Sequence, residues 1–106
     1  MLDMWQTIPE YSHIVHESED GSKQVRLTVN EFRGVEYLHL REYYQSFEEE
    51  WLPTKKGVCF PLNLTNSYSL FTGLVEILSL AESRNKITEH FKEIFEDINN
   101  GLIPNS

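Results

Sequence analysis

Two stretches of this chain alternate aliphatic side chains with groups able to meet an anion or a flat ring. In Val25-Arg26-Leu27-Thr28-Val29-Asn30 the polar set is Arg26, Thr28 and Asn30. In Glu36-Tyr37-Leu38-His39-Leu40-Arg41-Glu42-Tyr43-Tyr44, Leu38 and Leu40 alternate with Tyr37, His39, Arg41 and Tyr43. A period of two marks β-strands, and the expectation is that the aliphatic side faces a core and the other side faces solvent. A solvated sheet face usually takes Thr, Lys and Glu, so rings interleaved with guanidinium groups call for a reason. Rings that stack on bases and cations that meet phosphates are what a single-stranded nucleic-acid platform uses.

Other chemistry finds little footing. His13, His16, His39 and His90 are scattered without ligand spacing, so no metal and no cofactor is expected. Cys59 lies in the apolar run Val58-Cys59-Phe60, where a thiolate is disfavoured. As the single cysteine it forms no internal disulfide and suits a reducing cytoplasm. No catalytic set can be assembled, and the expectation is a protein that is not an enzyme. No long apolar run or basic leader is present, so neither a membrane span nor a signal peptide is expected.

The net charge of -8 opposes a polyanionic partner at long range. Its distribution is uneven. All six basic side chains of residues 1–62 (Lys23, Arg26, Arg33, Arg41, Lys55 and Lys56) fall between positions 23 and 56. Five of the eleven acids there precede position 21, and three more form Glu48-Glu49-Glu50. A local basic strip on an acidic body is the implication.

The elements that must position these groups follow from turn signals and periodicity. A short strand over Ser12–His16, a turn at Ser18–Gly21, a strand from Lys23 to Val29, a turn at Arg33-Gly34 and a strand from about Glu36 to Tyr44 are expected. Gln45–Lys56 reads as a loop that contains Trp51, and Gly57–Leu62 as a short fourth strand with Pro61 at a sheet edge. A helix capped by Asn66 or Ser67 should run to about Ser83. Its apolar residues (Tyr68, Leu70, Phe71, Leu74, Val75, Ile77, Leu78, Leu80, Ala81) cover more than one face, which predicts burial on two sides and hence a homodimer. A second amphipathic helix over Lys86–Asn99 places Ile87, Phe91, Ile94, Phe95, Ile98 and Leu102 at helical spacing, with Gly101 as its stop. Ser83-Arg84-Asn85 either separates the two helices or continues one. At 106 residues one domain is the default, with a core over 12–82 and a helical extension over 83–106.

Three blocks in order carry a resemblance: Arg26-Leu27-Thr28-Val29-Asn30-Glu31-Phe32-Arg33-Gly34, then Leu40-Arg41-Glu42-Tyr43-Tyr44, then Pro53-Thr54-Lys55-Lys56-Gly57-Val58. Together they resemble the positive cofactor four family of the eukaryotic transcriptional coactivator and its bacterial and viral relatives. The resemblance covers residues 23–80. It implies an α+β protomer, a four-stranded curved antiparallel sheet followed by a C-terminal helix (ββββα), here with an additional C-terminal helix. It further implies a homodimer whose grooves hold single-stranded DNA without strong sequence preference. By position, Phe32 and Tyr44 are the implied stacking residues, and Lys23, Arg33, Arg41, Lys55 and Lys56 the implied phosphate contacts. Arg26 joins them from the strand pattern, with Tyr37, His39 and Trp51 as groove-lining candidates. Phe71, Leu74, Val75 and Leu78 are the candidate dimer contacts.

The chain also departs from the family pattern. Tyr44 stands where the eukaryotic pattern has Trp, Asn30 and Val35 where basic residues are common, and Leu52 in place of a Lys. Weaker and less salt-sensitive binding is the consequence expected. The coactivator's serine- and acid-rich leader is missing, which points to a bacterial or phage member. Its place would be the cytoplasm of a bacterium or infected host cell, or the nucleus if eukaryotic. Transcription, replication, recombination or repair would be the setting, with transcription or replication proteins as further partners. The alternative is an acidic dimeric adaptor that recruits polymerase or replication proteins through its C-terminal helices.

Overall fold

The computed structural model describes residues 4–101, so Leu102 of the amphipathic pattern lies outside the described residues. Four strands form an antiparallel sheet in the order β1 (Tyr11–Glu17), β2 (Lys23–Phe32), β3 (Val35–Gln45) and β4 (Trp51–Pro61). A 3-10 turn, Met4–Gln6, precedes the sheet, and α1 (Leu64–Leu78) and α2 (Arg84–Asn99) follow it. The chain divides into two compact units, Met1–Asn66 and Ser67–Ser106. Among the described residues no helix is long and apolar enough to cross a membrane.

Each hairpin has a local cause. Between β2 and β3 only Arg33 and Gly34 intervene, both with positive φ (53° and 80°), which suits the right-handed twist of the flanking strands. Between β1 and β2 the Asp20 carboxylate accepts from the Ser22 N–H and from the hydroxyls of Ser18 and Ser22, with Gly21 at φ 74°. Those donors, the Ser22 amide first, lower the Asp20 pKa to about 2.

The expected Gln45–Lys56 loop is largely strand. β4 begins at Trp51, and Tyr43 pairs with Pro53, Tyr44 with Leu52 and Gln45 with Trp51. Proline is admitted because β4 is an edge strand, where a missing N–H need not cost a ladder bond. Three β4 residues, Thr54 to Lys56, stand against the single Glu42 between the pairs Arg41–Gly57 and Tyr43–Pro53. Such a bulge bends the sheet. Thr54 ties it: its hydroxyl donates to the Glu42 carbonyl (3.1 Å) and accepts from the Lys56 N–H (3.1 Å).

In the helical region the expected cap shifts. Asn63, rather than Asn66 or Ser67, caps α1, its side-chain oxygen accepting from the Asn66 N–H at 2.8 Å. α1 stops at Leu78 instead of Ser83, and Ser83 then caps α2 by accepting from the Lys86 N–H, so the two helices are separate. Within the second unit the Phe71 ring meets Phe91 and Phe95 edge-on, at 5.4 and 6.5 Å between centroids. Ile87 is buried there.

The alternation is as expected, but the buried side of the sheet is the other one. Gln24, Thr28, Asn30, His39, Arg41 and Tyr43 are buried, His39 to 1% exposure, whereas Leu40 is 40% and Val58 59% exposed. Of the expected core face only Leu38 is buried. Part of the physical reason lies in the first residues of the chain. The 3-10 turn rests against β2 and β4, and the Asn30 amide donates to the Thr7 carbonyl and hydroxyl.

Candidate nucleic-acid interface

The register sets polar side chains opposite one another across β2 and β3. Gln24 faces Tyr43, Arg26 faces Arg41, Thr28 faces His39 and Asn30 faces Tyr37. Two like charges directly opposite are destabilising by themselves. Rings, not carboxylates, accommodate them. The Arg26 guanidinium lies 4.7 Å from the Tyr43 ring centroid and 5.6 Å from that of Trp51, with Nε donating to the Gln24 side chain at 2.8 Å. The Arg41 guanidinium lies 5.6 Å from the Trp5 centroid. At the hairpin tip, Arg33 lies 5.0 Å from the Phe32 ring. Among the described residues no carboxylate is within ion-pair distance of these three arginines.

Arg41 is the most constrained of them. It is 5% exposed; Nη1 donates to the Thr54 carbonyl (3.1 Å) and Nη2 to His39 Nδ1 (3.3 Å). A guanidinium only donates, so His39 Nδ1 must accept and a neutral imidazole carries its proton on Nε2. That Nε2 and Arg41 Nε are buried without a protein partner among the described residues. Burial, and then the Arg41 charge, hold the His39 pKa below its ordinary value. Burial likewise lowers the Arg41 pKa. The sheet closes tightly here: a Cβ on Gly57 would meet the Leu40 carbonyl oxygen at 2.7 Å and Arg41 Cα at 2.9 Å.

The other face gathers the lysines. Lys23 and Lys56 both pair with Glu42, at 3.7 and 3.8 Å, and all three remain at least partly exposed. Tyr44 pairs with Lys23 across the strands and is exposed. Because β2 and β3 pair without a shift, Tyr44 and Phe32 lie on opposite faces and at opposite ends of the hairpin. Lys55 is exposed at the bulge. Of the candidate residues, the polar face therefore unites Arg26, Tyr37, His39, Arg41 and Trp51, with Phe32 and Arg33 at its tip. Lys23, Tyr44 and Lys56 form a separate group.

Matching this arrangement against known proteins identifies its kind. Residues 19–67 match the family model described as Transcriptional Coactivator p15 (PC4). The solved structure of a bacteriophage T5 homologue of the eukaryotic transcription coactivator PC4 is 38% identical, with a TM-score of 0.65 over 79% of this chain and 93% of the phage chain. The chain belongs to the PC4 family. A PC4 homologue from Burkholderia pseudomallei K96243 shares the fold, with a TM-score of 0.50 over 73% of this chain and 100% of that one, at 15% identity. No curated protein sequence matches significantly. The four-stranded antiparallel sheet followed by helices is thus a PC4 sheet, and these two solved structures are of a phage and a bacterial protein.

Several site features were missed in sequence. Trp5 and Thr7 carried no periodic signal, and Thr54 and Gly57 read as loop and strand start. Cys59, expected among apolar neighbours, is exposed on β4. The one available hint for Trp5 was that the chain has only two tryptophans.

Proposed function

We propose that this protein binds single-stranded DNA through its sheet, without strong sequence preference and without a chemical step. The observation that carries the reading is the pairing of Arg26, Arg33 and Arg41 with rings and, among the described residues, with no carboxylate, in a chain of net charge -8. Positive charge left uncompensated beside flat rings suits an anionic, unpaired strand whose bases stack while its phosphates meet cations. In this reading Phe32 and Trp51 stack, Arg26 and Arg33 meet phosphates, and Tyr37 lines the groove; His39, expected there too, is fully buried and instead accepts from Arg41. Lys23, Lys55 and Lys56 supply outlying charge, with Tyr44 as a second ring beside Lys23. Family membership supports the reading, as does the phage T5 relative, a protein implicated in recombination-dependent DNA replication.

A magnitude follows. Three cations lie outside the buried centre without a carboxylate partner among the described residues (Arg26, Arg33 and Lys55), enough for about three phosphates. Log K should then fall with log salt at a slope near -2, or about 20-fold between roughly 50 and 200 mM. Loss of one stacked ring costs about 5- to 150-fold, so neither effect hides the other.

Fluorescence anisotropy with labelled oligo-dT and a matched duplex tests the reading. Micromolar or tighter binding to the single strand, weakened by Arg26→Ala, is expected. Equal indifference to both nucleic acids would contradict it and favour the adaptor.

The working unit in this reading is a homodimer joined through Phe71, Leu74, Val75 and Leu78 of α1. The exposure of Tyr68, Leu70, Phe71, Leu74, Ile77 and Leu78 supports it, since so much apolar surface on one helix is costly in water. Sedimentation at micromolar concentration should give a dimer, and a monomer would contradict the assignment.

A further inference from the structure

Both tryptophans of the chain converge on the same pair of facing arginines: Trp51 on Arg26, Trp5 on Arg41. Trp5 does not belong to the sheet, so its position needs explaining. The turn that carries it is closed by the Thr7 N–H and hydroxyl, which donate to the Met4 carbonyl at 3.3 and 2.8 Å. The Asn30 amide then fastens Thr7 to the centre of β2, and the Glu10 N–H donates to the Val29 carbonyl at 2.8 Å. These tethers run to strands rather than to loops. The turn that bears the indole is therefore tied to the sheet before any ligand arrives, and the ring, beside Arg41, is half-buried rather than sealed.

Arg41 fits a supporting role better than a phosphate contact. Its two terminal nitrogens already donate to Thr54 and His39, and it is buried. What it offers outward is the guanidinium beside the Trp5 ring. The same motif recurs at Phe32–Arg33 and Trp51–Arg26, so Trp5 is a third ring of one construction. A rigid ring whose ordering cost is met in the free protein loses little on binding.

We propose that Trp5 is a base-stacking residue of the interface and that Arg41 is its positioning residue. This rests on the single-strand reading above. A Trp51→Phe variant leaves Trp5 as the sole tryptophan, and titration with oligo-dT should quench its emission. Trp5→Ala should weaken oligo-dT binding by about 5- to 150-fold. Trp5→Phe, which keeps a ring, should retain most of the affinity and so separates stacking from loss of fold. Arg41→Met should weaken binding while leaving the slope of log K against log salt unchanged. A phosphate contact would instead make that slope shallower by about 0.7.

Unquenched Trp5 emission, or unaltered binding by Trp5→Ala, would overturn the proposal alone. Tighter binding by Trp5→Ala would overturn it too, by showing that the turn covers the interface instead of extending it. Wild-type protein that leaves oligo-dT unbound would remove the single-strand reading and this inference with it.

Discussion

The sheet and helix α2 handle the same kind of charge in opposite ways. On α2, Lys92 meets Glu96 four residues on at 3.8 Å, and Lys86 meets Glu82, just before the helix, at 3.7 Å. Both lysines are well exposed, and their charge is answered locally. On the polar face of the sheet, Arg26 and Arg41 confront each other and are answered by rings. The two faces of the sheet differ in the same sense, since Lys23 and Lys56 share Glu42 on the far side. A cation whose partner is a carboxylate needs nothing further. A cation left with an aromatic partner keeps its field, and in an acidic chain that local field is what a phosphate chain would find.

The contrast breaks most readily at Gly57. An added Cβ there meets backbone atoms, so Gly57→Ala should destabilise by about 1–3 kcal/mol and Gly57→Val by more, measured by urea unfolding. In α1 the sign reverses. A Cβ on Gly73 meets nothing, and helical geometry places Gly73 away from the Phe71–Leu74–Val75–Leu78 face, so Gly73→Ala should stabilise by about 0.5–1 kcal/mol.

Charge removal sharpens the comparison next. Arg26→Ala should lower oligo-dT affinity about 10-fold, as expected for loss of a charged contact beside two rings, and make the salt slope shallower by about 0.7. Lys86→Ala and Lys92→Ala should leave both quantities alone.

Acid should distinguish the regions as well. The folded sheet holds the His39 pKa below its ordinary value, so the unfolded chain takes up the proton more readily. The neutral ring's contribution is present above about pH 6.5 and is lost as pH falls through the depressed folded value. Urea midpoints should therefore fall on acidification below about pH 6.5, and His39→Gln should flatten that slope. The smallest effect belongs to α2: Lys92→Ala should change stability by only a few tenths of a kcal/mol, about 0.3, because its ion pair is exposed and screened.

Local pattern made the sheet legible and left the site half-drawn. Alternation placed Arg26, His39, Arg41 and Tyr43 on one side correctly, because strand pleating is a property of neighbours in sequence. Which side is buried is not such a property. It depends on the turn at Met4–Gln6 reaching the polar face through Trp5 and Thr7, contacts made across more than twenty residues. The β4 start at Trp51 escaped for a similar reason: Pro53 and the run of glutamates speak for a loop, while edge pairing and the bulge at Glu42 override them. Phe32 and Tyr44 look alike on a sequence motif, yet the uninterrupted register separates them to opposite faces. The helix stop at Leu78 and the Ser83 cap lie at the very ends of elements, where a shift of a few residues costs little.

Mapping backbone amide shifts by NMR while adding oligo-dT tests the central claim most directly. Perturbations concentrated over residues 24–32, 37–43 and 51–57, with residues 84–99 unmoved, are the predicted result. Perturbations confined to α2, with the arginine-and-ring face unmoved, would contradict it.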